Sequence, residues 1–182
     1  MKYIKSFVPI ILLIIGICLI KSNNFTMNYR IGSEKDAAQE ASNLQPDIVY
    51  DGKTLDEIAE IINKSLNSTI MGKGYLIASY AIENNVDPYM ATAIILHETG
   101  CKWECSYLAR ECNNVGGQKG SGCGNYAYFE TLDDGIRGFI DNLSRNYISY
   151  GLTTPEEINT KYASDPNWAV SVNKYIESIK AQ

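Results

Sequence analysis

The fold turns on the stretch Asp87-Pro88-Tyr89-Met90-Ala91-Thr92-Ala93-Ile94-Ile95-Leu96-His97-Glu98-Thr99-Gly100. Asp87 can accept from the free N–H groups of a first helical turn, and Pro88 loses no hydrogen bond there, so the pair starts a helix. Ala91, Ile94 and Ile95 fall at i, i+3 and i+4 and predict one buried face, with Gly100 as a left-handed stop. Glu98 then sits on the last turn. A carboxyl there meets the negative end of the helix dipole and, beside Ile and Leu, a poor solvent for charge. Both effects favour the protonated acid. A carboxyl that still holds its proton near neutral pH is what cleavage of a glycosidic bond requires of its general acid. The competing reading is a solvated glutamate at a helix end.

Downstream, Cys101, Cys105, Cys112 and Cys123 lie close together, and two disulfides are the economical reading if the segment is outside the cell. Four cysteines allow three connectivities, and spacing does not choose between them. A zinc site from these thiols and His97, the only histidine, is the alternative. The metalloprotease helix motif needs a second His four residues on, where Cys101 stands, so neither a metal nor any other cofactor is expected. The glycine-rich run Asn113-Asn114-Val115-Gly116-Gly117-Gln118-Lys119-Gly120 can bring backbone groups close to a ligand, and it lacks the spacing of a phosphate-binding loop. Asn125-Tyr126-Ala127-Tyr128-Phe129 alternates aromatics as a short strand does, and Tyr126 and Tyr128 could stack on sugar rings or simply pack.

On the amino side, Thr54 caps a helix carrying Leu55, Ile58, Ile61 and Ile62, and a second helix covers residues 74–84. Both read as scaffold. From Thr131 the pattern is helical again: Ile136, Phe139, Ile140 and Leu143 follow an acidic first turn. Thr154-Pro155-Glu156-Glu157 opens another helix, and Asp165-Pro166 opens the last, with Trp168, Val172 and Ile176 inward. The expectation is a mainly α domain of six or seven short helices with at most one small β-hairpin.

Residues 1–20 read as a signal or membrane anchor, because Lys2 and Lys5 precede an uncharged run from Phe7 to Ile20. Residues 21–53, rich in Asn, Ser and Gln, read as a flexible tether, and residues 54–182 as the folded domain. By the positive-inside rule the domain then stands on the extracellular face of the plasma membrane, or is secreted to the cell wall if the signal is cleaved. The net charge of -5, without a basic cluster, argues against nucleic acid as a partner.

Four pieces in this order carry a resemblance: the helix ending in Glu98, the stretch from Asn113 to Gly120, Tyr128-Phe129-Glu130-Thr131-Leu132-Asp133-Asp134-Gly135, and Tyr162-Ala163-Ser164-Asp165-Pro166-Asn167-Trp168. Over about residues 54–180 the chain resembles the bacterial N-acetylglucosaminidase family (mannosyl-glycoprotein endo-beta-N-acetylglucosaminidase-like, autolysin) of the lysozyme-like superfamily. The resemblance implies a lysozyme-like helical domain that binds and cleaves peptidoglycan glycan strands, and the expectation for the chain itself is a monomer. It implies Glu98 as general acid, Asn114, Gln118 and Lys119 lining the cleft, and Tyr162 near the acid. The family's longer lobe with a second carboxylate is mostly missing here. Glu130 is the nearest substitute, with Glu104 and Glu111 as further candidates. Two alternatives stay open: a lytic transglycosylase on the same glycan, and a glycan-binding module without activity.

Overall fold

The computed structural model describes residues 47–100 and 106–182. The expected anchor and most of the expected tether lie outside the described residues, as do Cys101, Glu104 and Cys105. Among the described residues no helix is long and apolar enough to cross a membrane.

In chain order the elements are β1 (Ile48–Tyr50), β2 (Lys53–Thr54), α1 (Leu55–Ser65), α2 (Gly74–Glu83), α3 (Pro88–Thr99), α4 (Tyr107–Cys112), β3 (Gly122–Cys123), β4 (Tyr126–Ala127), α5 (Leu132–Asn146), α6 (Pro155–Tyr162) and α7 (Trp168–Lys180). Short 3-10 turns at Ser68–Ile70 and Ile148–Tyr150 complete the set. The described residues hold seven helices, within the expected six or seven, and two small antiparallel hairpins where at most one was expected. The extra one pairs Ile48 with Thr54 and Tyr50 with Lys53. Its turn is Asp51-Gly52, both at positive φ, the conformation that suits a two-residue hairpin. The folded unit therefore takes in strand β1, inside the stretch read as tether.

The helix starts are fixed by local chemistry. Thr54 and Thr154 each form a capping box with the glutamate three residues on, Glu57 and Glu157. Asp87 Oδ1 accepts from the N–H groups of Tyr89 (2.8 Å) and Met90 (3.2 Å), so α3 begins where the Asp-Pro pair predicts. α7 begins two residues later than expected: Asp165 Oδ1 accepts from Asn167 N at 2.9 Å, which makes Asp165-Pro166 a turn before the helix. α4 was not foreseen at all. Ser106 caps it through Ala109 N, and six residues are too short to show a periodic pattern.

α3 is the centre of the core. The sequence predicted one buried face, yet every residue from Pro88 to Ile95 is buried, because α2 and α7 pack against it and the apolar side chains of α5 join the same core. Both of its buried threonines are satisfied within the helix, while the buried Tyr89 hydroxyl has no hydrogen-bond partner. Thr92 and Thr99 donate to the carbonyls of Pro88 (2.7 Å) and Ile95 (2.8 Å), one turn back. Around it, Ile58, Ile62, Ile77, Ile136, Phe139, Ile140, Leu143 and Val172 are fully enclosed, each worth roughly 1.5–3 kcal/mol of burial.

Cys112, at the end of α4, is bonded to Cys123 in β3, with Cα atoms 6.1 Å apart. The bond closes the glycine-rich stretch into a loop between a helix and a hairpin, and it takes two of the thiols out of the zinc reading. Loop-closure entropy for this separation corresponds to about 2.5–3 kcal/mol. Replacing both cysteines by serine is expected to lower stability in urea by about that amount. Helix content by circular dichroism should hold while proteolytic cleavage within residues 113–122 speeds up; an equal loss of helix content would show that the bond staples the whole fold rather than the loop.

Candidate active site

Glu98 stands on the last turn of α3, the end at which the buried helix opens to solvent. Its Oε1 accepts from the indole N–H of Trp168 at 3.3 Å. Gly117, at φ +60°, faces the other oxygen: a Cβ at this position would lie 3.8 Å from Glu98 Oε2. The absence of a side chain there leaves the carboxyl open to a cleft of about 480 Å³. Gly116 to Lys119 line it together with Asn142, Tyr147, Tyr162 and Ala163.

The aromatic wall is braced from behind. The ring of Tyr162 lies 4.8 Å from that of Trp168, inclined by 31°, and Tyr147 leans on Tyr162 at 5.6 Å. The Tyr162 hydroxyl donates to Gly116 O at 3.1 Å, tying α6 to the glycine loop across the cleft. Burial, with Glu98 nearby, raises the phenol far above its ordinary range, so it serves as a neutral donor.

Burial also raises the Glu98 carboxyl above its ordinary value. The Trp168 N–H and, more weakly, His97 pull it back down. Burial is the cause expected from the sequence, and the surroundings include the Trp168 indole and the bare Gly117.

Asn114 does not line the cleft. It is 1% exposed, and its amide is spent on the loop: Nδ2 donates to Gln118 O and Ala127 O, and Oδ1 accepts from Gln118 N, all at 2.9 Å. It is a positioning residue. Gln118 and Lys119 do line the cleft. Gln118 Nε2 donates to Gly138 O at 3.1 Å, which anchors the loop to α5. Lys119 Nζ sits 4.0 Å above the Tyr126 ring, a cation–π contact. Tyr126 and Tyr128 lie elsewhere, on a separate concavity of about 750 Å³. Glu130 is exposed just before the Thr131 cap of α5, and it does not line the cleft either. Among the described residues Glu98 is the one carboxylate in the lining and Lys119 the one cation.

Sequence reasoning missed Trp168 as a partner of Glu98, having read it as core alone. It is both: 3% exposed, with its N–H turned to the carboxyl. Asn142 and Tyr147 were missed outright. No local pattern marks either, since Asn142 sits among the other polar residues of α5 and Gly138, one turn before it, packs against the Phe129 ring. His97 packs edge-on against Trp168 (6.2 Å) and Tyr175 (6.3 Å), and belongs to the support of the acid.

Residues 75–181, more than half of the chain, match the glucosaminidase family, described as mannosyl-glycoprotein endo-beta-N-acetylglucosaminidase. The chain belongs to the glucosaminidase family. No curated protein matches its sequence. The family match covers α2 through α7, and with it every residue of the cleft. This glucosaminidase is a glycoside hydrolase acting on peptidoglycan.

Two measurements test the electrostatics of the cleft. Trp168→Phe removes the donor that holds the Glu98 carboxyl down, so the alkaline limb of kcat/KM is expected to move to higher pH; a limb that stays put would mean another group sets it. The second concerns stability. A carboxyl whose folded-state pKa is raised contributes most below its unfolded value, and that contribution is lost as pH rises through the folded value. Glu98→Gln is therefore expected to raise the melting temperature at pH 7 more than at pH 4, and the reverse order would contradict a raised carboxyl.

Proposed function

We propose that this glucosaminidase cleaves peptidoglycan glycan strands as an endo-beta-N-acetylglucosaminidase, with Glu98 as its general acid. The observation that carries the reading is the carboxyl itself. It is partly buried and raised by burial, and it opens on a cleft through the gap left by Gly117. A protonated Glu98 gives its proton to the glycosidic oxygen as the C–O bond breaks, and positive charge develops on the sugar. The anionic form that remains is stabilised by the Trp168 N–H, which is already in place and needs no reorganisation. Tyr162 and Tyr147 offer ring faces for a pyranose, and Lys119 offers a donor to its acetamido and hydroxyl groups, while Gln118, held to Gly138 O, fixes the loop that lines the cleft. Asn114 acts at one remove, by holding the loop.

The developing cation must then be captured. Two carboxylates flank the scissile bond in most glycosidases, yet Glu98 is alone in the described lining. The 2-acetamido oxygen of N-acetylglucosamine can take the nucleophile's part before water completes the hydrolysis. The same observation favours a second reading, a lytic transglycosylase in which the sugar's own 6-hydroxyl attacks and an anhydro end forms. Our reading of the amino terminus sets this chemistry outside the cell, on a membrane-tethered or secreted monomer.

Mass spectrometry of the soluble fragments released from purified peptidoglycan distinguishes the two, run beside a Glu98→Gln control. Reducing N-acetylglucosamine ends are expected, with release by the control reduced at least about a hundredfold, the scale of general acid catalysis. Anhydromuramic ends would establish the transglycosylase instead, and undiminished release by the control would remove Glu98 from the role.

A further inference from the structure

Outside the Glu98 cleft the structure holds a larger concavity, between α4 and the β3–β4 hairpin, that the cleavage chemistry does not use. It is lined by Tyr107, Glu111, Tyr126 and Tyr128, and the Cys112–Cys123 bond forms part of its lining. Two of its rings are conspicuously open to solvent: Tyr107 is 62% exposed and Tyr128 50%. Neither ring serves the core. Tyr107 stands at the first position of α4. Tyr128 lies over Gly122, where a Cβ would come within 2.8 Å of the Tyr128 Cβ, so the hairpin admits the tyrosine only because that position is bare.

The two concavities share a ridge. Lys119 lines the Glu98 cleft, Tyr126 lines the outer concavity, and the two residues are bridged in the backbone with the ammonium over the ring. A linear polymer lying in the cleft and running past Lys119 therefore reaches Tyr128 and Tyr107. Solvent-exposed tyrosine rings on a disulfide-braced floor present flat apolar faces with hydroxyl handles, which suits the CH face of a pyranose. The carboxylate of Glu111, the one charge in the described lining, accepts from sugar hydroxyls and opposes a stem peptide that carries free carboxylates.

We infer that the Tyr107–Tyr128 concavity is a second glycan-binding platform, holding a stretch of the same sugar strand remote from the bond that is cut. This rests on the reading of the Glu98 cleft as a glycan site. Its function is retention. Contacts away from the reacting centre keep an insoluble polymer engaged, in the manner of a second binding module at high effective concentration.

The test is binding rather than turnover, so that it does not depend on which bond is cleaved. The full chain carrying Glu98→Gln is sedimented with cell-wall glycan from which stem peptides have been removed, and with intact peptidoglycan. Adding Tyr107→Ala and Tyr128→Ala is expected to weaken binding to the stripped glycan about tenfold, the loss typical of removing well-placed aromatic anchors. Melting temperature should be unchanged, since both rings are exposed. Tyr107→Phe with Tyr128→Phe is expected to restore most of the binding, because the ring faces remain. Undiminished binding by the alanine variant overturns the platform. So does a loss confined to intact peptidoglycan, which assigns the concavity to stem peptide, or a loss accompanied by unfolding with no recovery in the phenylalanine variant. Failure of the glucosaminidase reading itself would appear separately, as wrong fragment ends in the parent protein.

Discussion

A helix buried on every side has only its ends to offer a substrate, and that constraint organises this protein. Along Pro88 to Ile95 α3 shows no side chain to solvent, and the Thr92 hydroxyl is turned back on the helix's own Pro88 carbonyl. A side chain of α3 that reaches solvent therefore comes from its last turn, where packing thins and the chain leaves at Gly100. Glu98 stands there, a carboxyl on a rigid core without the full cost of burying a charge. It is enclosed enough for burial to raise it, and open enough to line a cleft.

The walls of the cleft depend on the same helix indirectly. α7 packs along α3 and carries Trp168 to the carboxyl; α6 leads into α7 and brings Tyr162 behind it. The glycine loop completes the enclosure by a different means. Val115 is buried in the core, and Gly116 lies against the Phe139 ring. The Cys112–Cys123 bond closes the loop, and directed hydrogen bonds fix it further: the Asn114 amide, the Tyr162 hydroxyl on Gly116, and Gln118 reaching Gly138 on α5. Packing and directed hydrogen bonds thus hold the loop together.

Much of the fold was legible because its signals are local. The caps at Thr54, Asp87 and Thr154 and the apolar stripes of α1 and α5 are read within a few residues of chain, and they land where expected. The Asp51-Gly52 turn was also local, but its strands are too short to alternate visibly, so the hairpin went unread. The site was less legible, since its contacts join residues far apart in sequence. That Trp168 donates to Glu98 depends on how α7 crosses α3, and no periodicity encodes it. Asn114 and Glu130 illustrate the limit from the other side. Their residue types suit a ligand or a catalytic role, and only the tertiary arrangement turns the first inward and leaves the second on the surface.

The tie at Asn114 also sets a limit on chemical ageing. Both hydrogens of its amide point at carbonyl oxygens, those of Gln118 and Ala127. Slow hydrolysis of the amide to an acid, the commonest spontaneous damage at asparagine, would leave an anion facing two carbonyls with no hydrogen to give either. The loop would then be repelled where it had been held. One uncatalysed change, adding a single mass unit far from the reacting bond, can therefore retire the enzyme while its helices remain intact.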